Sequence, residues 1–242
     1  RAVLSAISGN ALLTILKFAV ALPTQSAAMM NEAVHSLMDT LNQVFLLIGL
    51  AQGKRQADAR YAFGHGQKKY LWNLWSAIGL FSIGCGLGLA HAWHVFDRVG
   101  ESPTETIINI GGVSFDAMWL GGLVLMLALL IEGYVLGVAW REFKRRAVDE
   151  NLSPWQKLFR PSDPTLLAVL LEDAVAVTGV VFAATGILMS RISGNMIWDV
   201  SFSIVIALML GVTAVILGAV NMRLLLAVRD PDAEAVFEMI AK

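Results

Sequence analysis

The stretch Met30-Asn31-Glu32-Ala33-Val34-His35-Ser36-Leu37-Met38-Asp39-Thr40-Leu41-Asn42-Gln43 sits inside an apolar run from Ala27 to Leu50. A bilayer-spanning helix needs about 20 largely apolar residues, so this run is long enough to cross a membrane. Glu32, His35, Asp39 and Asn42 interrupt it at i, i+3, i+7 and i+10. At about 100° per residue they fall within an arc of about 80°, a single polar stripe on an otherwise lipid-compatible helix. A charge at the bilayer centre costs at least ~2.5 kcal/mol, so a chain that keeps several on one stripe has a use for them.

Outward from this helix, five more runs qualify as spans: Val3–Leu22, Tyr70–Phe96, Met118–Trp140, Thr165–Met189 and Ile197–Leu226. Without water to satisfy the backbone each must be helical, and the runs are too long and continuous for barrel strands. The expected fold is an all-α membrane protein, a bundle of six transmembrane helices. Composition agrees. The 242 residues are 57% hydrophobic and 15% charged, against about 25% charged in a soluble domain. Mean hydropathy is +0.66. A net charge of −1 gives no reason to expect a nucleic-acid partner, and the one cysteine, Cys85, excludes an intrachain disulfide. Arg1 opens the chain, and the first apolar run lacks a signal-type cleavage site, so it reads as a mature helix.

Basic residues set the expected orientation. Lys54, Arg55, Arg60, Lys68 and Lys69 lie between helices two and three. Arg141, Lys144, Arg145, Arg146, Lys157 and Arg160 lie between four and five. Pro23-Thr24-Gln25-Ser26 is uncharged, and Glu101 to Asp116 contains acids but no base. Both termini are therefore expected in the cytoplasm, or the matrix of an organelle, with a bacterial inner membrane or an organelle membrane as the location. Residues 1–228 read as the membrane domain. Arg229-Asp230-Pro231-Asp232 breaks the pattern, and 229–242 read as the start of a C-terminal cytoplasmic domain that is mostly absent.

His35 and Asp39, one turn apart, can present an imidazole and a carboxylate to one point, a donor pair suited to zinc and also to iron, cobalt or manganese. Helix five adds Glu172 and Asp173. Neighbours diverge by about 100°, so either both serve a metal from the edges of the face, or one faces another helix or relays a proton. Lys17 on helix one and Glu132 on helix four read as members of a structural ion pair, with proton relay as the alternative. His91 and His94 read as interfacial.

The motifs Ala33-Val34-His35-Ser36-Leu37-Met38-Asp39-Thr40-Leu41-Asn42-Gln43, Phe63-Gly64-His65-Gly66 and Leu170-Leu171-Glu172-Asp173 (after Asp163-Pro164) resemble the cation diffusion facilitator family, in the branch of the animal mitochondrial zinc exporter and its bacterial relatives. The resemblance implies a homodimer that exchanges cytoplasmic divalent metal for protons by alternating access, with no prosthetic group. It also implies a four-residue site between helices two and five. His35, Asp39 and Asp173 match three of its ligands. Val169 stands where many members have His or Asp, so the fourth ligand is Glu172, or else Glu32, Asn42 or water. Asp58 and His65 match an accessory loop site, but Tyr61 replaces a common His there, so that site reads as incomplete.

Protons and a dication compete for such groups, because an imidazole has an ordinary pKa near ~6.5 and a metal favours the deprotonated forms. That competition suffices for antiport, the partners being metal cations, protons, lipid and a second copy of the chain. A metal-ion channel or an intramembrane metalloenzyme is the alternative. The second lacks a convincing nucleophile–base pair, since Ser36 points about 100° away from His35.

Overall fold

The computed structural model describes residues 2–62, 64–97, 107–110, 113–150, 152–159 and 164–226. Among the described residues six helices are long and apolar enough to cross a membrane: helix one (Ala2–Thr24), two (Ala27–Gly53), three (Lys68–Phe96), four (Ala117–Asp149), five (Pro164–Ser193) and six (Ile197–Leu225). Helix two is central and touches one, three, five and six, while helix four packs on one and five. The exterior is apolar, with Ile15, Leu130 and Trp119 exposed, whereas Lys17 and Glu32 are wholly buried. This distribution suits lipid as the surrounding solvent.

Helices one and two are joined by Gln25 and Ser26 alone, with Gln25 in the left-handed region at φ 51°. The Ser26 hydroxyl accepts the Met29 N–H at 3.1 Å, an N-cap worth roughly 1 kcal/mol. Helix three is α-helical over Lys68–Gly79 and Gly88–Phe96 but widens to a π-helix over Leu80–Leu87, a form that proteins use locally, often near functional sites. Gly88 follows the π segment because a Cβ there would lie 2.7 Å from Asn31 Oδ1.

Two features differ from the sequence expectation. Helix four continues to Asp149, past Trp140. Hydropathy ends where apolar residues end, but Glu142 pairs with Arg145 (2.8 Å) and Arg146 (2.9 Å) and sustains the helix beyond the apolar run. Ile107–Ile110 and Val113–Asp116 also form a two-stranded antiparallel ribbon between helices three and four, in a connection to which the sequence reading assigns no secondary structure. The ribbon lies outside the bundle, which remains all-α. Phe63, Asp163, Arg160 and the whole 229–242 segment lie outside the described residues.

Candidate metal centre

The stripe on helix two divides its residues between two neighbours. Asp39 and Asn42 belong to the side that meets Glu172 and Asp173 of helix five, and His35 sits between Asp39 and the cluster of Lys17, Glu32 and Glu132. His35 Nε2 is 3.5 Å from Asp39 Oδ2, at ion-pair range, and neither imidazole nitrogen has a hydrogen-bond partner although the residue is 2% exposed. Buried polar atoms are normally paired, so two orphaned nitrogens on one buried ring mark a group held for another partner. Asp173 Oδ2 is likewise buried and unpartnered. Asp39 lies within electrostatic reach of both Glu172 and Asp173. Asp39, Glu172 and Asp173 thus share one low-dielectric region with His35 at its edge, and protons or a cation relieve the repulsion among the carboxylates.

Asn42 and Glu172 are bound to each other. The Asn42 amide nitrogen donates to both Glu172 carboxylate oxygens, at 3.0 Å each. Among the described residues no three of His, Cys, Asp and Glu are already gathered at metal-binding distances. Joint ligation by these groups therefore requires side-chain rotation or a small approach of helices two and five.

Glu32 lies apart. The Lys17 ammonium donates to Glu32 Oε2 (2.9 Å), Ser36 Oγ (2.8 Å) and Glu132 Oε1 (2.9 Å), joining helices one, two and four. Glu32 is thus turned away from Asp39. A side chain at Gly179 of helix five would collide with Glu32 Oε1, so the glycine allows the two helices their close approach. Lys17 and Glu132, each read from sequence as an ion-pair member or polar lock, bond to each other here, and Glu32 is a third member that the sequence reading does not place with them.

The loop residues form their own small structure. His65 Nε2 is 2.9 Å from Asp58 Oδ2, Asp58 Oδ1 accepts the N–H groups of Arg60 (2.9 Å) and Tyr61 (2.8 Å), and the Tyr61 ring lies 4.3 Å from that of His65. The hydrogen bond to His65, then those from Tyr61 and Arg60, hold the Asp58 carboxyl below the usual carboxylate range. His94 is exposed at the other end of helix three.

Several polar residues were not singled out from sequence. Asp199 of helix six accepts from Ser26 Oγ (2.7 Å), Ala27 N (2.6 Å) and Ala28 N (3.4 Å), placing a carboxylate against the N-terminus of helix two. Asn31 donates to Ser203 O (2.7 Å) and Oγ (2.8 Å). Together with the apolar cluster of Ala27, Ala92, Val95, Met196 and Val200, these contacts pack one half of the bundle tightly. The other half holds a cleft of about 60 Å³ beside Asp39, Asn42 and Glu172, with Asn73, Ser76 and Asn221 on its far walls. Val169 also lines it, so an apolar side chain occupies the helix-five position one turn before Asp173. The available signal was amides and a serine within apolar runs, weaker than that of charges.

The chain is similar to several known proteins. The cation efflux transmembrane domain matches residues 3–226. Metal tolerance protein C4 of Arabidopsis thaliana is 34% identical over 242 residues, 99% of this chain and 50% of that protein. The human proton-coupled zinc antiporter SLC30A9, mitochondrial, is 32% identical over 226 residues, 93% of this chain and 38% of that protein. A shorter match, 32% over 84 residues, links the chain to magnetosome protein MamM of Paramagnetospirillum magneticum. The chain thus spans half the plant relative and less of the human one. With the domain match covering nearly its whole length, the chain belongs to the cation diffusion facilitator family, a family of membrane transporters rather than enzymes, and is an integral membrane protein.

Proposed function

We propose that this domain is a divalent-metal/proton antiporter that exports zinc, or a similar first-row metal such as manganese, iron(II) or cobalt, from the cytoplasm. The observation that carries this reading is the membrane-embedded set His35, Asp39 and Asp173, in which both His35 nitrogens and Asp173 Oδ2 are buried without a hydrogen-bond partner among the described residues, beside Glu172. An imidazole with carboxylates suits zinc and tolerates its neighbours in the first transition series. The same groups bind protons when metal leaves, so exposure of the set to alternate sides couples the two fluxes. The names of the animal relatives, proton-coupled zinc antiporters, support the same reading. The distribution of basic residues supports cytoplasmic termini, and the family supports a homodimer.

The test is flux in sealed liposomes with a pH-sensitive dye inside, adding each metal in turn. Metal-dependent proton movement in the wild type that disappears in Asp39→Ala is the expected result. A fully active Asp39→Ala protein would remove the site assignment. Current that does not saturate and moves no protons would replace antiport by a channel.

A further inference from the structure

We propose that the cleft beside Asp39 is a second, oxygen-lined cation site, which takes a hydrated divalent cation before it reaches His35, with Asn73 and Asn221 as residues that hold it. This rests on the transport reading above and adds a step to it. The polar groups of the cleft come from four helices: Asp39 and Asn42 from two, Asn73 and Ser76 from three, Glu172 from five and Asn221 from six. None of the described residues lining it is Lys, Arg or His.

Hydrogen-bond accounting shows which ends of the amides remain. Asn221 Nδ2 donates to Leu217 O at 2.8 Å, within its own helix, and Asn42 Nδ2 is engaged by Glu172. Each amide therefore keeps its carbonyl oxygen as the group without a protein donor. Amide and carboxylate oxygens with no competing cation are a hard donor set, suited to a dication that keeps its water. The cleft leaves about 60 Å³ for water-sized occupants, room for about four waters at ~10–15 Å³ each, so a dication that keeps part of its hydration shell fits within it.

The two sites differ in chemistry and depth. His35 does not line the cleft, and Asp39 is shared between the two sites, its Oδ2 lying 3.5 Å from His35 Nε2. A cation would dehydrate between the oxygen-lined cleft and the imidazole, which places the discrimination between hard and borderline metals in the second step. Magnesium, which dehydrates reluctantly, would bind in the cleft without proceeding and so would compete with transported metal.

Manganese(II) observed by electron paramagnetic resonance on the purified protein is the probe. Binding should persist in His35→Ala, be lost when Asn73→Leu and Asn221→Leu are added to it, and tighten with Asn221→Asp. With His35 restored, the Asn73→Leu/Asn221→Leu pair should raise the zinc KM about fivefold, the loss of roughly one hydrogen-bond-strength contact, with a smaller change in Vmax. Manganese binding that vanishes in His35→Ala alone, or that the paired leucines and Asn221→Asp leave unchanged, overturns the proposal. An inactive Asp39→Ala beside a wild-type KM in the leucine pair would discard the cleft site alone. A fully active Asp39→Ala would discard the transport site itself.

Discussion

Asn42 on helix two holds both carboxylate oxygens of Glu172 on helix five, each at 3.0 Å from one amide nitrogen. The bond fixes a carboxylate that would otherwise rotate freely beside Asp39. Replacing Asn42 by Asp sets two carboxylates against each other. Thermal stability of the metal-free protein in detergent should therefore fall more in Asn42→Asp than in Asn42→Ala, where the loss is about 1 kcal/mol. Zinc should restore more of the loss in Asn42→Asp, because a dication neutralises the new charge. Equal melting curves for the two variants, with and without zinc, would show that the pair is not structural.

Asp173 and Glu172 separate by their partners. Asp173 Oδ2 is buried without a donor, whereas both Glu172 oxygens are already held. Asp173→Asn should weaken zinc binding more than about tenfold (1.4 kcal/mol), and Glu172→Gln should weaken it less. Calorimetric titration decides, and the reverse order would make Glu172 the principal helix-five ligand.

Lys17 holds the buried Glu32 and the partly buried Glu132, and its removal leaves both uncompensated. Lys17→Met should destabilise the bundle by about 3–5 kcal/mol, the usual cost of breaking a buried ion pair from one side. Adding Glu32→Gln and Glu132→Gln should recover most of it. A harmless Lys17→Met, measured by thermal unfolding, would contradict the ion-pair lock between helices one, two and four.

The loop pair responds to pH with a definite sign. Asp58 has a carboxyl held below its ordinary range, so its contribution to loop order is present above the unfolded Asp pKa, near ~3.9, and is lost as pH falls through the depressed value. Hydrogen exchange over residues 54–67 should therefore stay slow at neutral pH and accelerate, after correction for intrinsic rates, below about pH 4. Asp58→Asn should show fast exchange already at neutral pH. Protection that is independent of pH and unaffected by Asp58→Asn would mean that the pair does not order the loop.

The bundle and the core of the site were legible because charges inside apolar runs are conspicuous. His35, Asp39, Glu172 and Asp173 each interrupt a stretch that could otherwise face lipid. Partnership was less legible. Glu32 shares the stripe with Asp39, yet it turns to Lys17, and sequence spacing cannot say which neighbouring helix each edge of a stripe will meet. Asp199 stands at a helix end, where an acid is unremarkable, so its role against the N-terminus of helix two left no pattern. Asn73 and Asn221 are neutral and isolated in their own helices, and packing alone gathers them around one cleft. The π segment of helix three was illegible for a similar reason, since a run of apolar residues with glycines does not report its hydrogen-bond register.

The central claim is that metal and protons compete for the same buried side chains. Proton release on zinc binding tests it most directly, measured by calorimetry of the purified protein in buffers of differing ionisation enthalpy across a pH series. Zinc binding should release protons, its affinity should fall as pH falls, and the release should shrink in His35→Ala and Asp39→Ala. Zinc that binds with unchanged affinity across the pH series and releases no protons would contradict the account.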